Sequence, residues 1–150
     1  KPEAVHVPNG VAEDPEEECL AYERAIRQTC GIDLQLLGLG RNGHIGFNEP
    51  DTAFTTLTHV VDLTDDTMDA NARFFEKSSD VPRQAMSMGI GTIMQAKKIV
   101  MIVTGASKAR AVRSMVCNPV DPNCPGSVIQ LHANTVVLLD RPAATALNYC

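Results

Sequence analysis

The sequence lacks the features that mark several broad classes of protein. Its 13 Lys and Arg residues are outnumbered by 18 Asp and Glu residues, and the formal net charge is −5. A general nucleic-acid binder needs a surplus of basic side chains for the phosphate backbone, so this balance argues against such a partner. No apolar run approaches the roughly 20 residues of a membrane span, and no stretch resembles a secretion signal. We therefore expect a soluble, cytoplasmic protein without a membrane partner.

Metal-binding cysteine patterns are also missing. The five cysteines, Cys19, Cys30, Cys117, Cys124 and Cys150, are scattered without CxxC spacing or an adjacent pair of histidines. This spacing argues against a zinc site, and we predict neither a metal nor a cofactor. We expect buried or spectator thiols, with a redox or incidental disulfide role as the alternative.

The composition fits one globular domain. The chain has 150 residues, of which 44% are hydrophobic and 21% charged. It contains no internal repeat, low-complexity tract or second hydrophobic core. Short β-rich runs alternate with helical stretches, and this alternation predicts an α/β fold with a mostly parallel sheet and flanking helices.

Local patterns predict the individual elements. Pro15 and three successive glutamates open a helix that we expect to run to about Cys30, since acids are favourable at the positive end of the helix dipole. Residues 34–37 predict a short buried strand. Further extended segments are predicted over 55–63, 85–90, 98–104 and 136–139, and further helices over 65–75 (capped by Thr64 or Asp65), 91–96, 107–116 (capped by Ser107) and from Pro142 onward.

The segment 38–50, GLGRNGHIGFNEP, carries the most chemical information. It begins where the strand over 34–37 ends, and the carboxyl ends of parallel strands are where such sheets bind ligands. Gly38, Gly40 and Gly43 allow tight turns, and we expect them to leave amide groups open to a ligand.

His44 and Glu49 form a candidate acid-base pair within this segment. An imidazole has an ordinary pKa of about 6.5 and can both take and give a proton near neutral pH. A carboxylate on its second ring nitrogen fixes the tautomer and increases its basicity. A histidine in a strand-end turn can also serve only to satisfy nearby backbone groups, and the spacing leaves that alternative open.

The stretch 36–50, LLGLGRNGHIGFNEP, resembles the signature segment of glucosamine-6-phosphate deaminases. The similarity continues through ANARFF at 70–75 and GASK at 105–108, and it covers nearly the whole chain. The related 6-phosphogluconolactonases share the strand, glycine and histidine layout but depart after the histidine. The resemblance implies a Rossmann-like α/β fold and an enzyme that converts glucosamine 6-phosphate to fructose 6-phosphate and ammonia.

The resemblance also assigns roles to particular residues. The ring-opening histidine of the family falls on His44 and its supporting glutamate on Glu49. A third member, commonly an aspartate two positions before the histidine, is Asn42 here. An asparagine can orient an imidazole by hydrogen bonding but cannot stabilise an imidazolium by charge, so the electrostatic support falls on Glu49.

The substrate-phosphate cations of the family fall on Arg73 and Lys108. A guanidinium can bind a phosphate dianion through two hydrogen bonds, and Lys108 is expected in the first turn of a helix, where anions are favoured. Without the resemblance, both side chains would be read as solvated helix charges. Gly38, Gly40 and Gly43 complete the predicted substrate-binding set.

Two parts of the family pattern are missing. The aspartate that moves hydrogen between the second and first sugar carbons, and a Ser/Gly-rich phosphate loop, are not found in these residues. We therefore expect residues 1–150 to be one incomplete α/β domain, without its N-terminal segment and C-terminal tail.

In 55–62, where allosteric members carry basic residues, only His59 is partly basic. We expect a non-allosteric enzyme, with a homo-oligomer as an open option.

Two alternatives stay open at this point. The C4 configuration of the sugar cannot be read from the motif, so a galactosamine-6-phosphate deaminase or a related sugar-phosphate isomerase is the first. A non-catalytic sugar-phosphate binding remnant, suggested by the missing base and phosphate loop, is the second.

Overall fold

A computed structural model describes residues 4–77 and 80–147, apart from the side chains of Asp66 and Ala70. In these residues, helices and strands alternate along the chain as the sequence predicts. In chain order the elements are α1 (Pro15–Gln28), β1 (Gln35–Leu37), β2 (His59–Asp62), α2 (Asp65–Asn71), β3 (Gln84–Ser87), α3 (Ile90–Ile93), β4 (Ile99–Val103), α4 (Ala109–Cys117) and β5 (Thr135–Leu139), with 3₁₀ helices over Ala72–Phe74, Ala106–Lys108 and Pro125–Leu131.

A three-stranded parallel sheet lies at the centre of the fold. Its strand order is β1-β4-β5, with Leu37 opposite Met101 and Val103 opposite Leu139. The remaining two strands, β2 and β3, form a separate antiparallel pair. The predicted fold class, a mostly parallel sheet with flanking helices, is confirmed. Because β1, β4 and β5 run in the same direction, the segments that follow them meet at one edge of the sheet.

The hydrophobic core covers one face of the central sheet. Ile99, Met101 and Val103 alternate along β4 and are at most 2% exposed. They belong to one buried cluster with side chains of α3 and α4, including Ile90 and Val112. Successive side chains of a strand point to opposite faces, so this alternation assigns the core to a single side.

The opposite face of the same sheet is apolar but open. Leu36, Ile102, Val136 and Leu138 lie on it and are between 38% and 61% exposed. Parallel sheets are normally covered on both faces. In this chain, therefore, the central sheet presents an uncovered apolar surface opposite its core.

Helix boundaries follow local signals at α1 and α2. Asp14 caps α1 through the amide of Glu17, and α1 ends at Gln28, two residues before the predicted end at Cys30. Cys30 and the following glycine both have positive φ angles, which ends the helix there. Thr64 caps α2, as predicted, but α2 is shorter than expected and continues as the 3₁₀ helix over Ala72–Phe74.

The C-terminal third differs from the prediction in two helices. Ser107 is not a cap: it lies inside the 3₁₀ helix, and α4 begins only at Ala109. The 3₁₀ turn forms because the amide of Lys108 donates to the carbonyl of Gly105. The helix predicted from Pro142 is a series of turns over 141–147, and its expected continuation lies outside the described residues.

The cysteines follow the expectation in part. Cys19, Cys30 and Cys124 are free thiols, and burial raises the pKa of the Cys19 and Cys124 thiols. Cys117 is disulfide-bonded, so the alternative role applies there. Cys150 lies outside the described residues.

A buried carboxylate ties α1 to the rest of the fold. Glu23 is 4% exposed and accepts hydrogen bonds from the amide of Thr58 at 2.9 Å and from the hydroxyls of Thr58 and Thr92. Burial raises the pKa of this carboxyl, but the hydrogen bonds from both threonines and the charge of Arg27 outweigh it, so its pKa is lowered. An ionised carboxylate thus joins α1 to α3 and to the segment before β2.

We predict that Glu23→Ala lowers the free energy of unfolding of the complete protein by about 2–4 kcal/mol, since it leaves buried donors without an acceptor. The folded-state pKa is the lower one, so the stabilisation is complete above the ordinary carboxyl pKa of 4.5 and is lost as the pH falls through the lowered value. Urea unfolding at several pH values measures both effects.

Glu17→Ala is the matched control on the same helix. Glu17 pairs with Arg24 at the surface, where both side chains are at least half exposed, so its loss changes the unfolding free energy by less than about 1 kcal/mol. Equal effects of the two substitutions would contradict the assignment of Glu23 as the buried tie.

Candidate functional site

The chain leaves β1 in a tight turn that closes on itself. The amide of Gly40 donates to the carbonyl of His44 at 2.8 Å, and the amide of Gly43 donates to the carbonyl of Gly40 at 3.1 Å. The expectation that these two amides are open to a ligand is therefore wrong, because the turn uses them. The assignment of Gly38, which is exposed at the end of β1, stays a prediction.

The glycines of this turn make room for side chains. A Cβ atom at Gly40 would lie 2.5 Å from both ring nitrogens of His44, so the imidazole lies directly over that backbone. Gly43 has a φ angle of +90°, and a Cβ there would lie 2.7 Å from Sγ of Cys124. The amide of Gly126 also donates to the carbonyl of Gly43 at 2.8 Å. The glycine pattern thus positions His44.

The turn brings together the three residues that the sequence marks as catalytic. Nδ1 of His44 lies 3.4 Å from Oε2 of Glu49. Nδ2 of Asn42 donates to the same Oε2 at 2.7 Å, and Oδ1 of Asn42 accepts from the amide of His44 at 3.2 Å. The side chains of His44 and Glu49 are only 19% and 9% exposed. One carboxylate oxygen therefore faces both the imidazole and the amide.

The other oxygen of Glu49 is held from α2. Oε1 accepts hydrogen bonds from the hydroxyls of Thr67 and Thr64. Burial raises the pKa of Glu49, but the hydrogen bonds from Thr67 and Asn42, the charge of His44 and the hydrogen bond from Thr64 together lower it. Glu49 is consequently an ionised acceptor near neutral pH. It can balance a positive charge on the imidazole, whereas neutral Asn42 can only orient its neighbours.

Backbone contacts fix the turn on its other side. Asn48 is fully buried, and its Nδ2 donates to the carbonyls of Ile45 and Met88 at 2.8 and 2.9 Å. The hydroxyl of Thr52 donates to the main-chain carbonyl of Glu49 at 2.7 Å. These bonds hold the segment 45–52 in place, so the Glu49 carboxylate extends from a rigid backbone.

Arg73 and Lys108 lie on separate elements from the His44 group. Arg73 is exposed on the 3₁₀ helix after α2, with its guanidinium carbon 4.7 Å from the centre of the Phe74 ring. Lys108 is partly buried in the 3₁₀ helix after β4. Since β4 is the parallel neighbour of β1, Lys108 follows the same sheet edge as the turn that carries His44.

Sequence reasoning missed three residues around this edge. The sequence marks Thr64 only as a helix cap and assigns no role to Thr67 or Asp140. Asp140 follows β5, and both its carboxylate oxygens accept from the amide of Gly105 at 3.0 Å, which holds the turn before Lys108. Nothing local in the sequence marks the contacts of the two threonines, whereas Asp140 is a recognisable candidate because it directly follows an apolar strand.

The part of the chain that comprises residues 4–77 and 80–147 contains no group of three or more His, Cys, Asp or Glu side chains placed to hold a metal ion. None of its helices is long and apolar enough to cross a membrane.

Comparison with known proteins identifies the family of the chain. Residues 1–138 match the model of the glucosamine-6-phosphate isomerase/6-phosphogluconolactonase family. Two proteins named glucosamine-6-phosphate deaminase are similar to the chain. The one from Clostridioides difficile (strain 630) is 54% identical over 99% of this chain, and the one from Thermoanaerobacter pseudethanolicus is 50% identical over 98% of it. The matched part is 59% and 58% of those proteins, so the chain spans about three-fifths of their length.

Solved structures agree with this result. A structure described as a monomeric glucosamine-6-phosphate deaminase superimposes with a TM-score of 0.95 at 46% identity, covering 97% of this chain and 61% of its own. A 6-phosphogluconolactonase from Trypanosoma cruzi, at 18% identity, has a TM-score of 0.68 over 94% of this chain and 55% of its own, and shares the fold. The chain belongs to the glucosamine-6-phosphate isomerase/6-phosphogluconolactonase family.

Proposed function

We propose that the protein is an isomerising deaminase that converts glucosamine 6-phosphate and water to fructose 6-phosphate and ammonia. The observation that carries this proposal is the placement of His44 over Gly40, beside the ionised carboxylate of Glu49 and at the carboxyl edge of a parallel sheet. The close relatives named glucosamine-6-phosphate deaminase support the choice of substrate.

Ring opening is the step that these residues fit. The pyranose opens when the anomeric hydroxyl loses a proton and the ring oxygen gains one, so a single group that takes and then gives a proton can serve both positions. His44 is that group, acting through Nε2 while Nδ1 faces Glu49. The carboxylate stabilises the imidazolium that forms in between, and Asn42 holds the carboxylate in place.

Arg73 and Lys108 are the proposed cations for the substrate phosphate. The guanidinium of Arg73 is exposed and can offer two parallel donors to one phosphate. Lys108 follows a turn fixed by Asp140, so its backbone position is set by the ends of β4 and β5. The two cations lie on different elements, and we propose that the dianion binds between them.

The isomerisation step needs a base, and none of these 150 residues is assigned that role. We propose that it is supplied by a segment corresponding to the two-fifths of the relatives that lie beyond the match. The uncovered apolar face of the central sheet, formed by Leu36, Ile102, Val136 and Leu138, is a suitable surface for packing such a segment.

We propose that the enzyme is not regulated allosterically. In 55–62, His59 is the one partly basic side chain, and its Nδ1 lies 2.9 Å from the carbonyl of Leu57. This segment therefore has little positive charge with which to bind an acidic effector, and this supports a non-allosteric enzyme. A homo-oligomer stays a proposal as well; one solved relative is described as monomeric.

We predict that the complete protein releases ammonia from glucosamine 6-phosphate and that His44→Gln lowers its turnover about 100-fold or more, the scale for losing a positioned acid-base group. Galactosamine 6-phosphate, assayed in parallel, is expected to be the poorer substrate. His132→Gln is the matched control, because His132 precedes β5 and contacts the carbonyl of Ala96 at 2.7 Å. Near-unchanged turnover in His44→Gln would sink the assignment of the ring-opening group.

We predict that Arg73→Ala and Lys108→Ala each weaken binding of the phosphorylated sugar by about 1.5–3 kcal/mol, as expected for hydrogen bonds to a charged group. Isothermal titration with a substrate analogue measures the affinity directly. Arg113→Ala, on the exposed face of α4, is the control and should leave the affinity within twofold. Unchanged affinity in both test variants would mean that the phosphate binds elsewhere.

A further inference from the structure

Two threonine hydroxyls, one from the N-cap and one from the first turn of α2, reach the carboxylate of Glu49. Thr67 is 3% exposed, and its hydroxyl donates to Oε1 of Glu49. Thr64 lies 3.2 Å from the same oxygen and 3.1 Å from the hydroxyl of Thr67. A hydroxyl has one proton to donate, so Thr64 shares its proton between these two acceptors. Thr67 is therefore the principal donor to Oε1.

We propose that Thr67, assisted by Thr64, is a positioning residue for ring opening: its hydroxyl holds Oε1 of Glu49 so that Oε2 stays directed at His44 and Asn42. This role rests on the proposed function. In this role α2 contributes to the site as well as to packing, because its first turn sets the orientation of the Glu49 carboxylate beside the His44 imidazole.

The geometry of the carboxylate explains why two anchors are needed. The side chain of Glu49 extends from a fixed backbone, but its carboxylate can still rotate about its terminal bond. Asn42 holds Oε2 at 2.7 Å from one side, and Thr67 holds Oε1 from the other. Bonds to both oxygens fix the rotation. Without the Thr67 hydroxyl, Oε1 keeps only the longer contact with Thr64 at 3.2 Å, and Oε2 can turn away from the ring.

The position of Thr67 links this support to the phosphate cation. The carbonyl of Thr67 accepts from Nδ2 of Asn71 at 2.8 Å, and Arg73 follows directly in the 3₁₀ helix. The same short helical segment therefore holds Glu49 at its start and carries Arg73 at its end.

A carbon-13 titration of the Glu49 carboxyl tests the proposed contact directly. The carboxyl resonance is assigned by comparison with Glu49→Gln. The groups that face this carboxylate are His44 and Asn42 from its own turn and the two hydroxyls from α2. In wild type, the carboxyl titrates below its ordinary pKa. Thr67→Val keeps the shape of the side chain but removes the donor, so the Glu49 carboxyl should titrate about one pH unit higher than in wild type. We expect kcat to fall about tenfold, with KM within twofold.

Two further variants separate positioning from general loss of stability. Thr67→Ser restores the hydroxyl and should return both readouts to near wild type. Thr92→Val is the matched control: it removes a buried threonine hydroxyl that donates to a different carboxylate, that of Glu23, so the Glu49 titration should not move. If Thr67→Val does not fold, Thr64→Val at its exposed position gives the same upward shift with a smaller size.

Two results would overturn the positioning role: a Glu49 titration that is unchanged in Thr67→Val, or a kcat that Thr67→Ser fails to restore. These outcomes are distinct from failure of the proposed function. Absence of ammonia release by wild type would defeat the function, whereas the titration needs no substrate and reports on Thr67 in either case.

Discussion

The site depends on keeping one carboxylate ionised while it is almost entirely removed from water. Burying a charge is unfavourable unless hydrogen bonds or an opposite charge replace the lost hydration. At Glu49, the replacement comes from Asn42, His44, Thr64 and Thr67, which surround both oxygens. This requirement orders the surrounding structure, because each donor must be brought to the carboxylate by its own element. The glycine turn after β1 and the first turn of α2 are thereby fixed relative to each other.

The parallel sheet supplies the second constraint. Segments that follow β1, β4 and β5 emerge at one edge, so His44, Lys108 and Asp140 all follow strand ends at that edge although they are far apart in sequence. Asp140 uses both carboxylate oxygens to bind the amide of Gly105, which ties the ends of β4 and β5 together. One edge thus combines the His44–Glu49 pair with a fixed turn that carries Lys108. The uncovered apolar face of the sheet belongs to the same architecture, since a parallel sheet is normally buried on both sides.

Much of this arrangement could be predicted from the sequence because its signals are local. The apolar run of β4 and the acid-rich start of α1 marked their elements, and His44 and Glu49 are close enough in the chain to be joined by one turn. Contacts between distant residues were not predictable: Thr67 is 18 residues from Glu49, and Asp140 is 35 from Gly105. The amides of Gly40 and Gly43 were predicted to be open, but composition does not reveal that a turn will close on its own donors. The cap assigned to Ser107 failed for a related reason, since a 3₁₀ turn precedes α4.

The central claim is that the Glu49 carboxylate sets the state of His44. A carboxylate 3.4 Å from Nδ1 favours the proton on that nitrogen, and Nε2 is then the nitrogen proposed to accept one from the substrate. Nitrogen-15 chemical shifts of the His44 ring, assigned with His44→Gln and recorded where the ring is neutral, distinguish the two tautomers. We predict that the Nδ1–H form dominates in wild type and that Glu49→Gln abolishes this preference. A dominant Nε2–H form in wild type would contradict the account.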